Sequence, residues 1–312
     1  MSRIAICPAI VVFLTVAVGP PVLAGNVYWT DKEDFTIRRG DMDGIEPMEV
    51  LVSGLGQPRG LGLDLAGGKM YWADATTLKI QRANLDGSDV EDLVTTGFAF
   101  PADLELDLGA GKIYWTDTGL GVIRRANLNG SQVEDVRTGM QQPYYFELDT
   151  DAEKIYFAKL ETGNSIVHRM NLDGTGAIED LVTGLVNVRD VGLDPVGGIL
   201  YWNDRDSHKV QRRPLDGSGP VEDLFTFIPG RGKPHGLALD LDGGMAYWTD
   251  TRTNWIMRGS LDGTGSPEVL YSGLTSPWDI ELDPVPEPST WGLLLAGLVG
   301  AAAFARRKSR CR

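Results

Sequence analysis

The chain has 312 residues, a formal net charge of −14, 42% hydrophobic and 23% charged residues, which excludes wholesale disorder. Its 39 glycines and 17 prolines follow no Gly-X-Y period, so collagen is excluded and many turns are expected. The acidity argues against a nucleic-acid partner, and two cysteines at opposite ends, Cys7 and Cys311, cannot build a disulfide framework.

Residues 1–24 have the layout of an export signal. Arg3 supplies the positive region, and Ile4 to Val18 is apolar apart from Pro8 and Thr15. Val22 and Ala24 then occupy the small-residue positions of a cleavage site, which predicts a cut after Ala24.

From Gly25 onward one repeat dominates. Tyr-Trp-Thr-Asp stands at 28–31, 114–117 and 247–250, with near copies at 71–74 and 201–204 and a decayed copy at Tyr156-Phe157-Ala158-Lys159. Successive starts are 43, 43, 42, 45 and 46 residues apart. A period near 44 is the length of one four-stranded propeller blade. In the second unit, Arg59–Asp64 reads as a first strand with Leu61 and Leu63 alternating, and Gly67-Gly68 as a tight turn. Lys69–Asp74 is the second strand, Leu78–Leu85 the third, Asp86-Gly87 a hairpin turn and Val90–Thr95 the outer strand. The chain meets its first repeat already in a second strand, at Tyr28, and finishes its last with a surplus first strand, Ser276–Asp283. That surplus strand is expected to complete the blade begun at the N-terminus. Closure of a six-bladed ring would then remove the exposed sheet edge. The expected domain is all-β and spans 25–285.

Beyond it, Val285-Pro286-Glu287-Pro288-Ser289-Thr290 leads into an apolar run, Trp291–Ala305, and then Arg306-Arg307-Lys308-Ser309-Arg310. Fifteen residues make roughly 22 Å of helix, short of the ~30 Å hydrocarbon core. The tail over 286–312 resembles the PEP-CTERM sorting signal of bacterial exported proteins, with Pro286, Glu287 and Pro288 as its motif. That resemblance implies processing by an exosortase-type enzyme, transient anchoring in the inner membrane through 291–305, and release to the cell surface or extracellular matrix. A plain membrane anchor is the alternative. Without Arg3, Glu287 and the five C-terminal basic residues, the body over 25–285 carries −19.

The repeats resemble the YWTD, or class B, repeats of the low-density lipoprotein receptor family, which form six-bladed β-propellers. The resemblance rests on the five near-intact motifs, on Ile80-Gln81-Arg82, Ile123-Arg124-Arg125 and Ile256-Met257-Arg258, and on the Leu-Asp-Gly turns. The fourth unit departs from the pattern by losing its Trp and Asp. No cysteine-rich module follows the repeats, so receptor-type trafficking is not implied.

Residues repeated in every blade are expected to be architectural. The motif Tyr and Trp should pack, and Asp31, Asp74, Asp117, Asp204 and Asp250 should hydrogen-bond backbone or pair with the Ile-x-Arg arginines. Function is expected where repeats disagree. One such position, at the start of the first strand, reads Arg59, Ala102, Tyr144, Arg189, His235 and Trp278; the next reads Gly60, Asp103, Tyr145, Asp190, Gly236 and Asp279. Aromatics and arginines among carboxylates suit a protein-binding hot spot at one channel mouth, and the family resemblance implies partners on this face. Ordinary loop residues are the alternative.

No HExxH, Gly-x-Ser-x-Gly or Cys/His cluster points to catalysis. The expectation is a non-enzymatic, monomeric propeller that binds a protein or glycan. The alternative is a lactonase-like hydrolase or lyase with a channel metal. Period two would turn Glu105, Glu147 and Glu281 towards the axis, near Asp103 and Asp279, where hard oxygen ligands suit calcium. Arginine-paired glutamates in a hydrated channel are the competing reading, with no cofactor required.

Overall fold

The computed structural model describes residues 25–159, 163–228, 230 and 232–284. Among them, 24 strands form six four-stranded antiparallel sheets. The second blade runs Pro58–Asp64, Lys69–Asp74, Lys79–Asn84 and Glu91–Val94, within one or two residues of the expected bounds. Its first turn needs a left-handed residue, which Gly68 supplies at φ 68°.

The ring closes as the register of its ends requires. Pro277–Asp283 pairs with Asn26–Asp31 as the inner strand of the first blade, with Asn26 opposite Asp283 and Trp29 opposite Ile280. The other inner strands are Pro58–Asp64, Pro101–Asp107, Pro143–Asp149, Val188–Asp194 and Pro234–Asp240, in blades two to six. Each inner strand touches those of both neighbouring blades, so six strands line one central channel. At the seam between first and last blades, Val27 and Trp29 pack with Tyr247, Ile256 and Tyr271.

The core lies between blades. Tyr28 and Ile37 of the first blade, for example, bury against Leu61, Met70 and Trp72 of the second. All five motif tryptophans are fully buried, and Phe157 fills the equivalent place in the fourth blade, stacked on His168 with ring centroids 5.0 Å apart.

The motif aspartates bind backbone, and the arginines find other partners. Asp74 accepts from Gly56 N at 2.6 Å and Gln57 N at 3.0 Å, and Asp117 accepts from Ala99 N and Phe100 N. Each therefore ties the loop that precedes an inner strand to the end of the second strand. Arg82 and Arg125 instead pair with Glu91 and Glu134 on outer strands and reach the motif tyrosines.

Candidate functional site

The ladder between inner and second strands is irregular near the start of every inner strand, between Pro58 and Leu61, Pro101 and Asp103, Pro143 and Phe146, Val188 and Asp190, Pro234 and Leu237, and opposite Trp29 to Asp31. A bulge breaks the period-two rule and re-aims side chains. The two variable positions sit on these bulges, so twelve residues from six blades converge at one end of the channel.

Their backbones are pinned by the motif threonine of the preceding blade. Thr30 Oγ1 donates to the Arg59 carbonyl at 2.9 Å, Thr116 to that of Tyr144 at 2.7 Å, and Thr249 to that of Trp278 at 2.8 Å. In the fifth blade Asn203 replaces threonine and donates to the His235 carbonyl at 3.0 Å.

The aromatic residues form a plug. Tyr145 and His235 are fully buried, with Tyr145 Oη 3.1 Å from His235 Nε2 and His235 Nδ1 3.2 Å from the Trp278 carbonyl. A proton on Nδ1 satisfies both bonds, with the Tyr145 hydroxyl donating to Nε2. Burial, reinforced by Arg189 and Arg205, holds His235 well below the usual imidazole range, so the ring is neutral at pH 7. Tyr144 is buried beside Tyr145, their centroids 4.7 Å apart, and Ala102 lies in the same cluster.

The three aspartates face the strands. Asp103 accepts from Phe146 N at 3.0 Å, Asp190 from Leu237 N at 2.7 Å and Asp279 from Leu61 N at 2.7 Å, each in the next blade. They occupy alternate blades. In two of the blades between, Gly60 and Gly236 make room: a Cβ on Gly60 would fall 2.6 Å from the Asp103 carbonyl carbon, and one on Gly236 the same distance from the Trp278 carbonyl oxygen. In the third, Tyr145 takes this place and fills the centre. Burial raises all three carboxyls, Asp279 to about 7, and repulsion from Asp279 adds to the rise at Asp103 and Asp190.

What remains at the rim is positive. Arg59 is 7% exposed; one guanidinium nitrogen donates to the Tyr144 hydroxyl, and its guanidinium carbon lies 4.6 Å from the Phe100 ring centroid and 4.8 Å from that of Trp278. Arg189 stands 5.8 Å from the Tyr144 ring, and Lys32 Nζ sits 3.8 Å over Trp278. Two of these cations, Lys32 and Arg205, lie outside the variable positions singled out above. They share a different repeat position, the residue after the motif Asp, where the blades also disagree. Desolvation and then the nearby Arg59, Arg205 and Arg189 push the Lys32 ammonium below its usual range.

Glu105, Glu147 and Glu281 lie further along the same strands, towards the other mouth. There a cavity of about 350 Å³ is lined by Glu147 and Glu281 with Leu237, Leu239 and Leu282. Burial raises Glu105 well above the carboxylate range, as do Glu147 and Glu281 nearby, and Glu147 itself stands at about 7. Among the described residues, however, no group of three or more His, Cys, Asp or Glu is arranged to hold a metal ion, and none of the three glutamates has an arginine partner.

A six-bladed β-propeller built on a repeated Tyr-Trp-Thr-Asp motif is the class these features define. The low-density lipoprotein receptor repeat class B model matches residues 111–137, and the PEP-CTERM protein-sorting motif matches 284–310. Among solved structures, the fold is similar to one in the crystal structure of a nidogen/laminin complex, at TM-score 0.72 and 19% identity, covering 83% of this chain and 98% of that one. It is also similar to TolB from Acinetobacter baumannii, at TM-score 0.68 and 16% identity, covering 85% and 68%. A putative TolB from Agrobacterium tumefaciens aligns at TM-score 0.63 and 13% identity, covering 85% and 99%. No curated protein matches by sequence. Ala24, Pro286, Glu287, Pro288 and the apolar run 291–305 lie outside the described residues. Among the residues described, no helix is long and apolar enough to cross a membrane.

Proposed function

We propose that this protein is an exported, non-enzymatic propeller that binds a protein or glycan partner at the cell surface through the channel mouth built on Arg59, Arg189 and Trp278. The carrying observation is a rigid rim of arginines and aromatics on a strongly acidic body, held by bulges and threonine pins. Preorganisation of this kind lowers the entropic cost of association. The similar propeller solved as a nidogen/laminin complex supports a docking role, as does the general habit of carrying function on variable positions of a repeated frame. The sorting-motif match supports export, exosortase-type processing and transient anchoring by the C-terminal segment.

The metal-dependent alternative has less support, because among the described residues no group of three or more His, Cys, Asp or Glu is arranged to hold a metal ion. Capture of partners from extracellular matrix by the purified protein tests the reading. Arg189→Ala or Trp278→Ala should weaken capture by ~2 kcal/mol or more, and Glu91→Ala on an outer strand should leave it unchanged. Equal effects from both sets would remove the case for this face. Intact-mass analysis of exported protein should find Gly25 first and the C-terminal arginines missing.

A further inference from the structure

Arg59, Arg189 and Arg205 come from two separate blades and meet around Tyr144. Arg59 hydrogen-bonds its hydroxyl, Arg189 lies against its ring, and both Arg189 and Arg205 act on it electrostatically. Among the described residues none of the three forms an ion pair, although the third-strand arginines Arg39, Arg82, Arg125, Arg169, Arg212 and Arg258 each pair with a glutamate on the outer strand. All three also have a buried Nε with no hydrogen-bond partner, and so does the Trp278 indole nitrogen. A buried donor left unpaired is costly, and a guanidinium fork matches a carboxylate in shape and charge. The buried Asp103, Asp190 and Asp279 are engaged with backbone N–H groups of neighbouring blades, and Asp206, which acts on Arg205, is taken up by Lys233 and Asn187.

Resting on the docking function proposed above, we infer that the mouth is a carboxylate-binding site whose occupant is an acidic segment of a protein partner, with Asp or Glu side chains received by Arg189 and Arg205 and backed by Arg59 and Lys32. A peptide fits better than an acidic sugar because the Trp278 ring is already engaged by three side chains. His235 lies 3.8 Å from its centroid, and Lys32 and Arg59 cover it at 3.8 and 4.8 Å. The ring is therefore not open as a stacking platform. The net negative charge of the chain disfavours non-specific binding of such a ligand, which favours a site where cations gather.

Titration of the purified protein with acetylated, amidated hexaglutamate, with its glutamine counterpart and with hexagalacturonate tests the inference. Hexaglutamate should bind and the glutamine peptide should not. Arg189→Gln and Arg205→Gln should each weaken binding about tenfold or more, with unchanged melting temperature, and Arg82→Gln should have no effect. Equal binding of both peptides, tighter binding of hexagalacturonate, or wild-type affinity in Arg189→Gln and Arg205→Gln would overturn it. Matrix capture separates this failure from that of the docking function. If capture is lost in Trp278→Ala while hexaglutamate fails to bind, the acidic chemistry falls and the docking mouth stands. If capture survives Trp278→Ala, the mouth itself is the wrong face.

Discussion

The two mouths of the channel are built on the same six strands and carry different chemistry, cations at one and glutamate carboxyls at the other. At one end Lys32 and Arg59 lie against Trp278, with Arg189 and Arg205 by Tyr144; towards the other, Glu147 and Glu281 line a cavity with leucines, and both act on Glu105. They do not neutralise one another because a layer of two kinds separates them. Tyr145 and His235 fill the axis, while the Asp103, Asp190 and Asp279 carboxylates turn sideways to clamp the next blade. The difference teaches that a position can vary between repeats for either of two reasons. Some variable residues hold the ring together where identical blades would leave a gap, and others present chemistry at its rim.

The largest expected effect comes from breaking the separating layer. Gly60→Ala would drive a methyl group into the Asp103–Leu104 backbone, which cannot swing aside, and should cost ~3 kcal/mol or more. At Gly62 the nearest atoms are Leu104 and Leu106 side-chain carbons at 3.0 Å, and Gly62→Ala should cost ~1 kcal/mol. Denaturant melts of the two variants check the contrast, and equal losses would mean that the layer is not tightly packed.

The pH dependence sharpens the acidic side. Glu147, with its carboxyl raised from 4.5 to about 7, binds its proton more tightly in the folded chain than in the unfolded one. Its contribution is therefore fully present below about pH 4 and is lost as pH rises through 7. His235, depressed by burial, acts the other way as pH falls below its ordinary value. A variant difference isolates the glutamate. Glu147→Gln should stabilise the protein at pH 8 relative to pH 5, by on the order of 1 kcal/mol after allowance for water in the channel. A parallel pH profile for wild type and variant would mean that the carboxylate is freely solvated.

The smallest effect is that of salt. Raising sodium chloride from about 0.05 to about 0.5 M should raise the melting temperature slightly, by screening the glutamates, while it weakens hexaglutamate binding at the other mouth. A binding constant indifferent to salt would separate recognition from the arginines.

The fold was legible because a 44-residue period cannot be hidden by drift in single motifs, and because a missing first strand at Tyr28 matched a surplus one at Pro277. The mouth was legible as a place, since the blades disagree there. Its inner arrangement was not. A bulge decides on which side each residue leaves the strand, and alternation counted from Leu61 and Leu63 could not show that Asp279 would turn to Leu61 N or that Tyr145 and His235 would be sealed from solvent. Lys32 and Arg205 were missed because they belong to a second column of the repeat, after the motif Asp, where Ala75, Thr118 and Thr251 stand in other blades. The motif threonines belong to the repeated frame, yet their partners are the carbonyls of Arg59, Tyr144 and Trp278.

Matrix capture by two variants compares the mouths most directly. Arg189→Gln with Arg205→Gln removes charge from one, and Glu105→Gln, Glu147→Gln and Glu281→Gln together remove it from the other, with partner retention measured against wild type. The account predicts that capture is lost in the first variant and kept in the second. Loss confined to the glutamine triple variant would place recognition at the acidic mouth and contradict it.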